Sequence, residues 1–190
     1  MPNDSHPYQE APLPSAPYEI GAKTLAPQSI LGPVLADLPA PGRTRYAPSL
    51  ARGLSLWAAC LRTARLDSAD GPILALWLPA EIETEVEHTL SEEPALGLLL
   101  HRLAAQLVMA ALADLRPDLA ERSCAPLPEI DPALARALLL HGLATHDGRL
   151  ARRYAVLTFD NHGSHSSHQD GCAGCSLRTG CQGPCNRGTP

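Results

Sequence analysis

Gly71-Pro-Ile-Leu-Ala-Leu-Trp-Leu78-Pro79 decides the fold class. Six consecutive apolar residues, Ile73 to Leu78, follow the turn-forming stretch Asp67-Ser-Ala-Asp70-Gly71-Pro72 and end at a proline. A run this short reads as a strand, and a strand apolar at every position is buried on both faces. Pro79 then opens Ala80-Glu-Ile-Glu-Thr-Glu-Val-Glu-His-Thr-Leu90. Proline at a first helical position and acids in the first turn mark a helix N-terminus. Ile82, Val86 and Leu90 recur at i, i+4 and i+8, so this helix packs by a narrow stripe. Glu81, Glu83, Glu85 and Glu87 are read as its solvated face rather than as a cation site.

Downstream, Ser91-Glu-Glu-Pro94 begins the longest helix, expected to run to Leu115. Its wide apolar coverage predicts a central, buried element, with His101 and Arg102 where it emerges to solvent. Those two residues and Gln106 interrupt the stretch Ala95 to Leu115. A membrane span needs about 20 mostly apolar residues without central charge, so no transmembrane helix is predicted. Pro117 and Pro126-Leu-Pro128 delimit a loop. Asp131 as N-cap and Pro132 in the first turn open a helix over 133–141, and Gly142 stops it. Thr145-His-Asp-Gly148 is a turn, and it overlaps a hinge from His146 to Leu150. Tyr154-Ala-Val-Leu-Thr-Phe159 is a second strand.

Upstream, Ile30, Leu31, Val34 and Leu35 suit a short helix within 24–38, and Pro39-Ala-Pro41-Gly42 predicts a break. Ser49 is expected to cap a helix whose apolar face includes Leu50, Leu54, Trp57 and Leu61 and which ends near Leu66. Cys60 falls in that apolar pattern and is expected to be a buried small hydrophobe. Residues 1–26 carry Pro2, Pro7, Pro12, Pro14 and Pro17 with few large apolar groups, the composition of a disordered arm.

These elements predict an α+β domain over 27–160, with helices packed on a small sheet. A polar, flexible linker over 161–171 and a cysteine-rich tail over 172–187 follow it. The chain of 190 residues is 45% hydrophobic, enough for one core. A formal net charge of −5 argues against nucleic acid as a partner, since phosphate binding needs a basic face. The first residues show neither the basic nor the apolar region of a signal peptide, and a cytoplasmic location is expected.

The tail carries the strongest chemical signal, Cys172-Ala-Gly-Cys175-Ser-Leu-Arg-Thr-Gly-Cys181-Gln-Gly-Pro-Cys185. In a reducing compartment, clustered cysteines point to metal ligation or redox chemistry rather than structural disulfides. Cys172, Cys175, Cys181 and Cys185 are the candidate metal ligands. Thiolate sulfur suits an iron–sulfur cluster or zinc. Zinc knuckles are commonly separated by a longer stretch than the five residues between Cys175 and Cys181, and close packing of ligands suits a cluster. A redox-active dithiol at Cys172 and Cys175 is a competing use. His162, His165 and His168 recur just before the tail and are read as incidental to the linker. Cys124 has no assigned role.

The order of elements over residues 71–187 resembles a known family. A buried strand (Gly71 to Leu78) leads into an acidic helix (Glu81-Ile-Glu-Thr-Glu-Val-Glu). A long Ala/Leu helix, a shorter one, a late strand (Tyr154 to Phe159) and a closing cysteine group follow. This pattern looks like the small stand-alone relatives of the activation domain of vitamin B12-dependent methionine synthase. The resemblance implies an α+β fold and an accessory role in corrinoid metabolism. It also implies a corrinoid protein or methyltransferase as partner and S-adenosylmethionine as a ligand. An iron–sulfur tail would then assist reductive reactivation. Arg152-Arg153-Tyr154 stands where the family carries an Arg-x-x-x-Gly-Tyr-type motif, so no S-adenosylmethionine contact transfers to a residue here. The chain shows no nucleophile–base pair, phosphate-binding glycine loop or paired catalytic carboxylates. Two further readings stand beside this one: a redox or electron-transfer module without a corrinoid partner, and a structural zinc knuckle.

Overall fold

The computed structural model describes residues 26–68, 70–120 and 127–160. The expected arm (Ala26 apart), the linker, the cysteine tail and Cys124 lie outside the described residues. In chain order the elements are α1 (Pro27–Ala36), α2 (Ala40–Cys60), β1 (Arg62–Ser68), β2 (Gly71–Trp77), α3 (Ala80–Glu92), α4 (Pro94–Leu115), the single turn α5 (Pro117–Ala120), α6 (Pro132–Leu140), β3 (Thr145–His146), β4 (Arg149–Leu150) and β5 (Ala155–Phe159). The class is α+β, as the sequence predicts.

β2 is the middle strand of a three-stranded antiparallel sheet of order β1-β2-β5. Its side chains alternate between two cores. Leu74 and Leu76, with Leu78 just beyond the strand, join Leu50, Leu54 and Trp57 of α2, Ile82 and Val86 of α3, and the inner face of α4. Ile73, Ala75 and Trp77 join Ala64 and Leu66 of β1, Leu157 of β5, Leu134 and Leu138 of α6, and Leu143. The run from Ile73 to Leu78 is uniformly apolar because each alternate residue has a different core to fill.

The helices α1 to α4 cover one face of the sheet and α6 covers the other. α4 is the centre of the thicker layer, with Leu103, Ala104, Leu107 and Ala111 fully buried. Gly97 brings it hard against the end of α3: a Cβ there would lie 2.3 Å from Leu90 Cα. Three cross-braces tie this layer together. The Trp57 indole N–H donates to Glu85 at 3.1 Å, Arg45 pairs with Glu93 at 2.6 Å, and Arg102 pairs with Asp37 at 2.9 Å.

α6 has the ends its sequence predicts. The Asp131 carboxylate accepts from the Leu134 N–H at 2.7 Å, capping the first turn. At the other end Gly142 takes φ +75°, Gly142 N–H donates to Leu139 O, and Leu143 N–H donates to Leu138 O. That paired arrangement needs a left-handed residue, which glycine adopts without a Cβ clash. The expected hinge from His146 to Leu150 is instead a tight hairpin, β3 with β4. Asp147 (φ 50°) and Gly148 (φ 68°) form its two-residue turn.

The largest departure lies at 40–68. Helix α2 starts nine residues before Ser49 and runs through Pro48. Proline removes one intrahelical hydrogen bond, which frees the Thr44 carbonyl. Pro48 and Thr44 are both exposed, so water can satisfy that carbonyl. Pro41 lies in the first turn, where its missing N–H has no intrahelical partner to lose. The helix ends at Cys60, short of the expected Leu66, and 62–68 is a strand. Cys60 is exposed rather than buried.

Candidate functional site

The candidate ligands Cys172, Cys175, Cys181 and Cys185, and the histidines His162, His165 and His168, lie outside the described residues. The described residues define the part of the body from which that segment departs, the strand β5 and its two ends. Among the described residues, no group of three or more His, Cys, Asp or Glu is close enough to hold a metal ion.

The leading end of β5 sits where α3 and α4 meet the sheet. Tyr154 is 2% exposed. Its carbonyl accepts from the Leu78 N–H at 2.9 Å, and its phenol oxygen lies 2.9 Å from His101 Nδ1. His101 is therefore half-buried and partnered, not merely a solvent-facing residue of α4. Glu83 accepts from the Arg153 N–H at 2.8 Å and lies 4.0 Å from the Arg152 guanidinium. Glu87 pairs with Arg153 at 3.1 Å. With Glu85 accepting from Trp57, three of the four acids expected to form a solvated face instead make specific bonds. Burial pushes the Tyr154 phenol above its ordinary pKa, and the nearby Arg153 charge opposes that shift.

The trailing end of β5 is a corner of the sheet. Arg65 of β1, Leu74 of β2 and Thr158 of β5 stand in one row across it. Arg116, the residue after α4, reaches this corner with a side chain only 2% exposed. Its Nε and Nη2 donate to the two oxygens of Asp118, each at 2.8 Å, and its Nη1 donates to the Phe159 carbonyl. The bonds to Asp118 hold the guanidinium protonated, above its ordinary pKa, although burial opposes them. The next residue is also held. Asp160 N–H donates to Pro72 O at 2.8 Å, and its carboxylate pairs with Arg65 at 2.5 Å.

None of Arg116, Asp118, Arg65, Asp160 and Glu83 stands out by sequence pattern as a group. They converge only through the fold; Arg116 and Phe159 are 43 residues apart in the chain. The one local signal is Arg116 beside Pro117, a polar residue at the end of a mostly apolar helix. Chemically, the contacts described at the two ends are holding devices.

The long helix α4 has the length and apolar composition of a membrane span, and half of its most apolar window is buried inside the fold. No family model, curated protein or solved structure matches this chain.

Proposed function

We propose that this chain is a small accessory protein whose α+β body carries a cysteine-ligated metal centre, an iron–sulfur cluster used in electron transfer. The observation that carries the reading is the spacing of Cys172, Cys175, Cys181 and Cys185 within one short segment. Four thiolates are a complete donor set for such a cluster, and equally for zinc, where the centre would only staple the segment. When bound, the cluster would supply one-electron redox chemistry. The role proposed for the body is to anchor the segment, since β5 leads directly to it. A reducing, cytoplasmic setting suits free thiolates.

The partner is proposed on resemblance to the methionine synthase activation domain: a corrinoid protein or its methyltransferase, with the electron used in reductive reactivation. S-adenosylmethionine is retained as a candidate ligand on the same ground, with no binding residues assigned to it.

Anaerobic purification with visible spectroscopy and iron, sulfide and zinc analysis tests the centre. The expected result is iron with matching sulfide and a chromophore bleached by dithionite. Stoichiometric zinc without a reducible chromophore would overturn electron transfer and leave the structural staple. The double substitution C172S/C181S should abolish metal binding while the helical signal of the body persists. Calorimetry against S-adenosylmethionine, and pull-down of a corrinoid protein, test the partner separately.

A further inference from the structure

We propose that Arg116 is a positioning residue that isolates the sheet from chemical changes in the segment beyond Asp160. The identity of those changes as metal loading rests on the proposed function; the isolating clamp itself rests on the geometry at residues 159 and 160.

Three observations carry it. First, Arg116 is the only charged side chain among the buried residues described, beside Thr63 and Thr158. A buried guanidinium is an expensive way to fill space, because an apolar side chain of similar volume commonly serves stability as well or better. Its use here calls for something that an apolar side chain lacks. Second, what it adds is direction. Asp118 holds two of its nitrogens and thereby sets the plane of the fork, while the third aims at the carbonyl of the last β5 residue. Third, the next residue is fixed independently, through its N–H by Pro72 and through its carboxylate by Arg65. Two consecutive residues are thus gripped from the end of α4, from β1 and from the start of β2. A strand held only by its ladder would pass any pull on its end into β2, the strand shared by both cores. The clamp places a stop at the last pair of the ladder, where Phe159 faces Ile73.

Hydrogen–deuterium exchange on the full chain tests this, as purified anaerobically and after the metal is stripped with a chelator and oxidant. In the wild-type chain, exchange in 71–77 and 155–159 should agree within about twofold between the two states, the sign of an unchanged local opening equilibrium. In Arg116→Met, opening of 155–159 should rise about tenfold to hundredfold, the factor expected for loss of a hydrogen bond to a charged group. Its exchange there should also differ between loaded and stripped chains. Arg116→Lys keeps the charge without the fork and should not restore wild-type rates. A wild-type chain whose β5 opens on stripping would overturn the proposal, as would Arg116→Met with wild-type exchange. If Arg116→Met fails to fold, Asp160→Ala removes the carboxylate that pairs with Arg65 and should give the same loss of isolation; no loss would count against the clamp. A chain that binds no metal would refute the proposed function, and the clamp would then be judged by the mutant exchange rates alone.

Discussion

The two ends of β5 are held by opposite chemistries. At the leading end a carboxylate, Glu83, receives backbone N–H groups, and a tyrosine meets a histidine at a partly open edge. At the trailing end a buried guanidinium donates to a backbone carbonyl. The Glu83 side chain is 20% exposed, against 2% for Arg116. Water can replace much of what Glu83 supplies, because it reaches the neighbouring groups. It cannot readily replace what Arg116 supplies. A strand with one ladder partner is thus fixed loosely where the chain arrives and firmly where it leaves.

That contrast can be broken most forcefully at the trailing end. Arg116→Met should lower the unfolding free energy by about 3 kcal/mol, the low end for breaking a buried pair. Asp118 keeps some solvent contact, which limits the loss. Chemical denaturation monitored by circular dichroism measures it, and a loss no larger than that of Glu83→Ala would mean that the trailing end is not the firmer one.

Glu83→Ala should have a smaller effect, about 1–2 kcal/mol, from unpairing a backbone donor at the start of β5. Glu83→Gln keeps an acceptor and should recover most of that loss; equal losses in the two variants would show that charge, not hydrogen bonding, holds the leading end.

The smallest effect is expected at Tyr154. Tyr154→Phe removes the bond to His101 and should cost about 1 kcal/mol near neutral pH. Its sharper signature is alkaline. Below about pH 10 the phenol is neutral in both folded and unfolded chains, so burial adds no pH dependence. As pH rises past that value the unfolded chain ionises first, because the folded phenol has the raised pKa. Stability should therefore fall as pH rises towards the folded value, and Tyr154→Phe should flatten that fall. Parallel losses in the two proteins across melting curves from pH 9 to 11 would assign the alkaline sensitivity elsewhere.

Much of the fold was legible because its signals are local. The apolar run at Ile73 to Leu78, the acidic helix after Pro79, the Asp131 cap and the Gly142 stop each depend on residues within a turn or a strand of one another. β1 was not legible. Arg62-Thr-Ala-Arg-Leu-Asp-Ser has only Ala64 and Leu66 to mark its inward face, and it follows an amphipathic helix whose apolar pattern continues to Leu61. Pro48 hid the start of α2, because a proline reads as a boundary although an exposed freed carbonyl can be hydrated. The cysteine spacing was legible as a motif, on residues outside those described. The clamp was not, since an arginine that reaches a carbonyl 43 residues away leaves no periodicity.

The two cores divide the chain's two tryptophans between them. Trp57 belongs to the helical side, with its indole N–H on Glu85, and Trp77 belongs to the α6 side, edge-on to His141. Each is nearly buried, at 2% and 5% exposure. Replacing either one by phenylalanine thus leaves a native optical probe on a single face of the sheet. The emission of those two variants reads the melting of each layer separately, without any added label.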